Sequence, residues 1–187
     1  MPDKDAASLR DVIFHQYAKL ITRSAFKLHD SKEAKRLHYG FVKTKLRELM
    51  TGVISWSEIL REDWQFVESE KKCIYCGSEE DLHKEHLVPR SLRIKPECGT
   101  CDKIQGIHNQ VWACKTCNSL KGTKGLYEFF KVMYPGEKKF YDVIPSMAEK
   151  KYLKTIYSCH ECAQTLDKGD LDGDKEITVL DIDFILH

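Results

Sequence analysis

Several features that would assign this chain to a broad class of function are scarce or absent. The formal net charge of the 187 residues is only +1, so an overall basic character does not indicate a nucleic-acid partner. The sequence has no apolar run long enough to cross a membrane. Its first residues, MPDKDAASLRD, are polar and acidic, whereas a signal peptide begins basic and then turns apolar. These absences predict an intracellular, cytoplasmic protein with no membrane partner.

Charge is nearly balanced in total but unevenly distributed along the chain. Basic residues are frequent near the N-terminal end and beside the central cysteines, and acidic residues are frequent near the C-terminal end. A nearly neutral chain can therefore present a basic face to phosphate, although a solvated surface is the more ordinary explanation for the N-terminal group. The residues concerned are Arg23, Lys27, Lys32, Lys35, Arg36, Lys43, Lys45 and Arg47, then Arg90, Arg93, Lys95, Lys121 and Lys124, and finally Asp167, Asp170, Asp172, Asp174, Asp181 and Asp183.

Isolated cysteines are also absent, because all eight cysteines fall in Cys-x-x-Cys pairs. In a chain without an export signal, this spacing indicates metal binding before disulfides. Zinc prefers four ligands in a tetrahedron, which two such pairs supply with little strain. The pairs are Cys73/Cys76, Cys98/Cys101, Cys114/Cys117 and Cys159/Cys162.

The pattern of apolar residues predicts that the N-terminal third of the chain is helical. Apolar residues recur at helical spacing over 7–28 and again over 32–50. Ser55 and Glu58 have the spacing of a capping box, which predicts a third helix through Val67.

Composition changes at Lys71, and from there to about Phe130 the chain is rich in Cys, His, Gly and Asn. Residues 111–113 predict a short strand, and Leu87 with Val88 predicts the end of another. Residues 118–133 predict a helix with glycines near its start, and 146–157 predict a further helix.

Four short motifs occur in order between residues 71 and 131: CIYCG at 73–77, EHLVPRS at 85–91, HN at 108–109, and CKTCN at 114–118 followed by KG at 121–122. Each motif is weak alone, but in this order they resemble the HNH endonuclease family, also called ββα-metal nucleases. The resemblance implies an α+β fold class, with a ββα-metal finger stapled by zinc at 71–133. A helical region at 1–70 precedes it, and a small region at 134–187 with a helix, a cysteine pair and a calcium-loop-like tail follows.

The resemblance assigns His86 as the general base of phosphodiester hydrolysis. A neutral imidazole can accept a proton from water near pH 7, which suits it to that role. The resemblance also gives Asn109 the task of orienting the imidazole. Since Glu85 and His86 are neighbours, their side chains point to opposite sides if both lie on a strand, so a strand end or twist has to bring both to one phosphate.

Oxygen ligands for a catalytic Mg²⁺ or Mn²⁺ are assigned to Glu85 and to the side-chain carbonyl of Asn118. Arg90 or Lys121 is expected to stabilise the phosphate. Two departures from the family pattern occur here: many members have a third histidine where this chain has Asn118, and the acid is often aspartate where this chain has Glu85.

The resemblance further implies a structural zinc bound by Cys73, Cys76, Cys114 and Cys117. The other four cysteines, Cys98, Cys101, Cys159 and Cys162, are expected to bind a second zinc that ties the C-terminal part to the loop between the strands. The alternative is two independent pairs, partly occupied or oxidised. The pair at 98–101 lies in an insertion relative to the family pattern.

The C-terminal segment DLDGDKEITVLD, residues 170–181, has carboxylates at positions one, three, five and twelve of a calcium loop: Asp170, Asp172, Asp174 and Asp181. It resembles a single dockerin-type half-repeat, although Lys175 stands where EF-hands have glycine. The alternative is an acidic turn without an ion.

Three functions follow from these patterns. The first is a metal-dependent HNH endonuclease of prokaryotic, archaeal or phage origin that nicks or cleaves double-stranded DNA, with a homodimer suited to the two antiparallel strands. The second is a non-catalytic, zinc-stabilised nucleic-acid-binding module. The third is an interaction protein whose calcium-loop-like tail docks a partner.

Overall fold

Two long helices form the N-terminal part of the molecule. The computed structural model describes residues 6–25, 32–56, 71–92, 94–136 and 138–186, with 32–36, 99 and 100 described by their backbone alone. Helix α1 (Leu9–Ala25) packs against helix α2 (Lys32–Met50), which confirms both helical predictions. The predicted third helix, capped at Ser55 and running through Val67, falls almost entirely on residues 57–67, which lie outside the described residues.

The N-terminal end of α1 is held by the C-terminal part of the chain. Ile13 and Tyr17, one helical turn apart, are both buried, as expected of an apolar helix face. The N–H group of Leu9 has no partner within the helix and donates to the carbonyl of Lys168 at 2.8 Å. The two ends of the chain therefore stabilise each other.

The described residues contain one antiparallel two-strand sheet, made of β1 (Leu82–His86) and β2 (Gln110–Cys114). Strand β2 confirms the strand predicted at 111–113. The first strand ends at His86, so the prediction that it reaches Leu87 and Val88 was wrong. Both of these residues are buried in the following loop, which explains the apolar signal that suggested a strand.

The loop between the strands is built from short helical turns. It contains two 3-10 helices, Pro96–Thr100 and Ile107–Asn109, on either side of the short helix α3 (Asp102–Gln105). The N–H of Leu87 donates to the Asn109 carbonyl at 2.9 Å, so the two ends of the loop meet.

Strand β2 leads directly into helix α4 (Lys115–Lys121), which is followed by helix α5 (Leu126–Met133). The sequence predicted a single helix over 118–133, and the structure corrects this. Gly122 adopts a positive φ of 53°, a conformation that glycine tolerates and that ends α4. A new helix then begins after Gly125.

The C-terminal part contains helices α6 (Phe140–Val143), α7 (Ser146–Ala163) and α8 (Val179–Phe184). Helix α7 continues past its predicted end at 157 and stops where Gln164 adopts the left-handed conformation, with φ of 58°. It packs on α1, and α8 packs on both α1 and α5.

One hydrophobic core includes residues from all three predicted segments, among them Tyr17, Tyr75 and Tyr152. The mixture of helices with one small sheet agrees with the α+β class at that level. The division into segments ending at residues 70 and 133 stays a prediction.

Candidate functional site

Four cysteines converge beside the sheet. The sulfur atoms of Cys73, Cys76, Cys114 and Cys117 all lie within 4.8 Å of one another, and those of Cys76 and Cys114 are 3.8 Å apart. Three of the four side chains are buried, and only Cys76 is exposed. Four thiols at this separation form a donor set that can hold a zinc ion.

Local backbone geometry explains how each pair presents its sulfurs. Cys73 and Cys76 flank a turn that closes at Gly77, whose positive φ is 80° and whose N–H donates to the Cys73 carbonyl at 2.8 Å. Cys114 is the N-cap of α4, and its sulfur accepts from the N–H of Cys117 at 3.5 Å. Each pair is thus arranged by its own turn.

The thiols of this group differ in how easily they ionise. The N–H of Cys117 lowers the pKa of Cys114. Burial raises the pKa of Cys117, and the neighbouring cysteines raise it further. Since zinc binds thiolates, the cation would have to displace protons from a crowded group.

The cysteine group joins three pieces of backbone. The turn at Cys73 pairs with β2 through the N–H of Ile74, which donates to the Trp112 carbonyl at 3.0 Å. The hydroxyl of Tyr134, just after α5, donates to the carbonyl of Tyr75 at 2.7 Å. An ion here would therefore stabilise the sheet, α4 and the preceding turn together.

Glu85 and His86 lie on opposite faces of the sheet, as expected for neighbours on a strand. In the register, Glu85 pairs with Val111, and His86 pairs with Gln110. Glu85 is only 7% exposed, whereas His86 is half-buried. The two side chains therefore lie on different faces of the sheet, although both belong to the last residues of β1.

Glu85 already has a cationic partner inside the protein. The Lys121 ammonium on α4 lies 2.9 Å from Glu85 Oε1 and donates to the His86 carbonyl at 3.2 Å. Lys121 is completely buried, which lowers its pKa, while Glu85 raises it. In this position Lys121 compensates the charge of Glu85, so the hypothesis that it contacts phosphate finds no support.

The environment of His86 favours the neutral imidazole. Burial lowers the pKa of His86, and the nearby Arg90 guanidinium and Lys121 ammonium lower it further. A hydrogen bond with the Gln105 carbonyl raises the pKa and offsets part of this lowering. Arg90 is exposed, and its effect on the pKa of His86 places its guanidinium near the ring; its contact with phosphate stays a prediction. At neutral pH the His86 ring is therefore a proton acceptor.

Gln110, a residue that the sequence did not single out, contacts the His86 ring. Its Nε2 donates to the Gln105 carbonyl at 2.9 Å and lies 3.3 Å from His86 Nε2. With the amide as donor, His86 Nε2 is the acceptor and the ring proton is on Nδ1. This contact follows from the strand register and has no signature in the sequence.

Asn109 acts on the loop backbone and not on the imidazole. Its Oδ1 accepts from the N–H of Val88 at 2.9 Å, and its Nδ2 donates to the carbonyls of Val88 and Ile104, both at 2.8 Å. The side chain is fully buried. The expectation that Asn109 orients the ring directly is corrected: it holds the chain two residues after His86.

Asn118 lies on α4, one turn before Lys121, so both side chains project from one side of the helix. It is half-buried, and its amide group makes no hydrogen bond within the described part of the chain. Helix α4 packs on both strands, which places Asn118 on the element that reaches Glu85.

The sheet face that carries His86 also carries a lysine and a tryptophan. Lys84 is directly opposite Trp112, and alternation places this pair on the same face as His86 and Gln110. Lys84 is exposed, and the ammonium of Lys71 lies 4.9 Å from the centroid of the Trp112 ring. Positive charge and an aromatic ring therefore extend from His86 along one face.

The cysteines of the second predicted zinc site, Cys98, Cys101, Cys159 and Cys162, lie near one another but do not form an equally tight group. Burial raises the pKa of Cys159 to about 12, and the neighbouring Cys101, Cys98 and Cys162 contribute to the rise. Among the described residues, however, these sulfurs do not form a group of three or more within 4.8 Å.

Three of the four predicted calcium ligands come together. Carboxylate oxygens of Asp170, Asp172 and Asp174 lie within 4.8 Å of one another, and all three residues are exposed. Asp181 is not part of this group. It is fully buried, and its Oδ2 accepts from the N–H of Thr178 at the start of α8 at 2.7 Å. The structure thus gives Asp181 a helix-capping role.

Comparisons of the chain with protein families, with curated proteins and with solved structures gave no match. Among the helices in the described ranges, none has both the length and the apolar character that a bilayer crossing needs. The function is therefore inferred from the residues and their geometry alone.

Proposed function

We propose that this protein is a metal-dependent endonuclease of the HNH type that hydrolyses phosphodiester bonds in DNA. The observation that carries the proposal is the half-buried His86 ring, whose pKa is lowered by burial, at the end of β1 beside the buried Glu85. The antiparallel pair leading directly into α4, beside four converging cysteines, supports a zinc-stapled ββα-metal arrangement.

In this proposal His86 is the general base. Its lowered pKa leaves the ring unprotonated at neutral pH, and the Gln105 carbonyl holds the ring N–H. Nε2 then accepts the proton of the attacking water, which takes the place of the long 3.3 Å contact with Gln110. Asn109 positions the ring indirectly, by holding the loop that follows His86.

Glu85 and Asn118 are the oxygen donors proposed for Mg²⁺ or Mn²⁺. These ions prefer hard oxygen ligands, and a carboxylate and an amide carbonyl are ligands of that kind, so the two residues suit the ion. When bound, the ion supplies charge neutralisation at the phosphate and the leaving oxygen. Lys121 compensates the charge of Glu85 from the protein side, and Arg90 adds positive charge near His86.

The proposed DNA-contacting surface begins at the end of β1, where Glu85 and His86 adjoin, and continues along the His86 face of the sheet. Lys84 and Lys71 suit backbone phosphates, and Trp112 between them offers an apolar ring. Duplex DNA is the proposed substrate. A homodimer would place one site on each antiparallel strand and favour double-strand cleavage over nicking.

Two further ions belong to the proposal as structural elements. A second zinc would use Cys98, Cys101, Cys159 and Cys162, and the mutual influence of their thiols on Cys159 supports it. Calcium would bind the exposed aspartates at 170, 172 and 174. Metal analysis of the purified protein distinguishes one bound zinc from two.

The test is cleavage of supercoiled plasmid with Mg²⁺ or Mn²⁺ by the wild type, His86→Ala and His83→Ala. His83 is exposed on the same strand but on the opposite face, so its variant is the matched control. We expect nicked or linear product from the wild type and His83→Ala, and at least a hundredfold less from His86→Ala. Equal cleavage by a folded, zinc-containing His86→Ala protein would overturn the assignment.

A non-catalytic nucleic-acid-binding module is the second candidate. It is favoured by one observation: Glu85 is already paired with Lys121, so its carboxylate is satisfied without a metal ion. If plasmid is retarded in a gel by the wild type but never cut, with either ion present, this second function replaces the first.

A further inference from the structure

A cavity of about 750 Å³ lies between α1, α2 and the segment that leads into α8. Its lining includes none of the residues proposed for phosphodiester cleavage. The walls are contributed by α1, by α2, by Lys131 and Tyr141, and by residues 174–180. It is therefore a separate site, formed where the N-terminal helices meet the C-terminal segment.

One wall of the cavity is basic. His15, Lys19 and Arg23 lie four residues apart on α1 and so share one helix face. His38 of α2 and Lys131, at the end of α5, complete this wall. Positive and protonatable groups from three helices thus face one volume, which is the electrostatic requirement for binding an anion.

Two nitrogen atoms in this wall are buried and have no hydrogen-bond partner among the residues that the structure describes: Arg23 Nε and His38 Nε2. The guanidinium of Arg23 is held in place by Glu149, whose Oε2 lies 2.5 Å from Nη2. It is close enough to His38 to reinforce the lowering of the pKa of His38 that burial causes. Two neighbouring buried nitrogens without partners are best satisfied by an oxygen-rich anion.

The remaining walls differ in chemistry. Asp174 and Glu176 place carboxylates on the C-terminal side, where they can accept hydrogen bonds from hydroxyl groups. Tyr39 and Tyr141 are each more than half exposed, and the Arg23 guanidinium lies 4.0 Å from the Tyr141 ring centroid. The cavity thus combines a basic wall, carboxylate acceptors and two aromatic rings.

We propose that this cavity binds a nucleotide. The phosphate would contact Arg23 and His38, the sugar hydroxyls would donate to Glu176, and the base would lie against a tyrosine ring. An inorganic anion would use only the basic wall and an uncharged nucleoside only the other two, so a nucleotide is the class of ligand that uses all three. The inference does not depend on nuclease activity.

Binding to the full chain is measured by isothermal titration calorimetry in buffer without added Mg²⁺ or Mn²⁺, which excludes any contribution from the proposed catalytic cation. The probes are adenosine 5′-monophosphate, inorganic phosphate and adenosine. We expect adenosine 5′-monophosphate to bind at least about tenfold more tightly than either of the others, because only it contacts all three walls. A phosphorylated dinucleotide is added as a fourth probe. It shows whether the cavity prefers the end of a nucleic-acid strand or a free nucleotide.

Two variants test the position of the site, and one is a control. His38→Gln is expected to weaken binding of adenosine 5′-monophosphate about tenfold, as loss of a charge-assisted contact should. Lys131→Gln, at an exposed position, should weaken it about threefold. Lys168→Gln, an exposed lysine outside the cavity, should leave it unchanged.

Two results would overturn the inference. One is binding of adenosine 5′-monophosphate no tighter than that of inorganic phosphate. The other is unchanged binding in both His38→Gln and Lys131→Gln while their circular dichroism matches that of the wild type. Because no DNA cleavage is measured, neither result bears on the nuclease proposal, and an inactive nuclease would leave the nucleotide result standing.

Discussion

The two groups of candidate metal ligands in this molecule are built in opposite ways. Cys73, Cys76, Cys114 and Cys117 come from distant parts of the chain and are mostly buried. The aspartates at 170, 172 and 174 come from one short loop and are all exposed. An ion in the first group would connect separate elements, whereas an ion in the second would order only its own loop. Ion removal should therefore have very different effects in the two regions.

The same two regions also bury a carboxyl group in different ways. Near the cysteines, Glu85 is paired with the Lys121 ammonium. Near the C-terminal loop, Asp183 is completely buried against neutral donors: the Tyr152 hydroxyl at 2.5 Å and the N–H of Glu128 at 2.7 Å. Burial raises the pKa of Asp183 to about 7, so this carboxyl titrates near neutral pH.

The buried Asp183 caps the first turn of helix α5. Gly125, the N-cap residue of helix α5, has no side chain that could cap the helix, and Asp183 accepts from the N–H groups of Tyr127 and Glu128 in its place. A Cβ at position 125 would collide with the Asp183 carboxyl. The C-terminal helix therefore caps the helix that follows α4.

The largest effect is expected from Cys117→Ser. Losing one of four ligands should abolish tight zinc binding and lower the melting temperature by about 10 °C or more, because a structural zinc contributes folding free energy. Zinc content and thermal unfolding measure this. Asp172→Asn is the counterpart from the acidic loop and should retain all bound zinc. A Cys117→Ser protein with wild-type zinc content and melting temperature would contradict the comparison.

The next effect is expected from Lys121→Met, which leaves the buried carboxylate of Glu85 without a partner. The cost in free energy of unfolding should be about 3–5 kcal/mol. The double variant Glu85→Gln with Lys121→Met should recover most of that loss, since no charge is then buried alone. Urea denaturation of the two variants and the wild type measures both values. A loss below about 1 kcal/mol for the single variant would show that the ion pair is dispensable.

Asp183, which is buried against neutral donors, should make the free energy of unfolding depend on pH. Its pKa in the folded state lies above that of an unfolded aspartate, so its contribution is present at acid pH and is lost as pH rises towards 7. Asp183→Asn should reduce the loss of stability between pH 5 and pH 8, by about 2–4 kcal/mol. Asp183→Ala, which removes the cap, should destabilise at every pH. Denaturation curves at several pH values decide this, and parallel pH profiles for Asp183→Asn and the wild type would refute it.

The smallest effect is expected from calcium. At about 1 mM, Ca²⁺ should raise the melting temperature of the wild type by only a few degrees, as a weak, exposed loop site would. Asp172→Asn should lose this shift, and Mg²⁺ at the same concentration should not reproduce it in the wild type. An equal calcium shift in the wild type and in Asp172→Asn would assign the effect to other residues.

Local patterns predicted much of this molecule. Helices α1, α2 and α7 follow from apolar periodicity, and the turn within each Cys-x-x-Cys pair follows from its spacing, because each depends on residues only a few positions apart. Which two pairs meet was predicted from the family resemblance and not from spacing. The break between α4 and α5 was missed, although the glycines at 122 and 125 were its signal. The proximity of Arg90 to His86 also has a local origin, since the two are four residues apart.

The sequence by itself determined the helical periodicity, the strand at 111–113, the two cysteine turns and the local cluster of aspartates. Only the tertiary structure decided that Lys121 is buried against Glu85, that Asn109 binds loop backbone, that Gln110 faces His86 and that Asp183 caps α5. The physical reason is distance along the chain. Each of these contacts depends on strand register or helix packing between segments far apart in sequence, and no local pattern encodes which partner a polar side chain will meet.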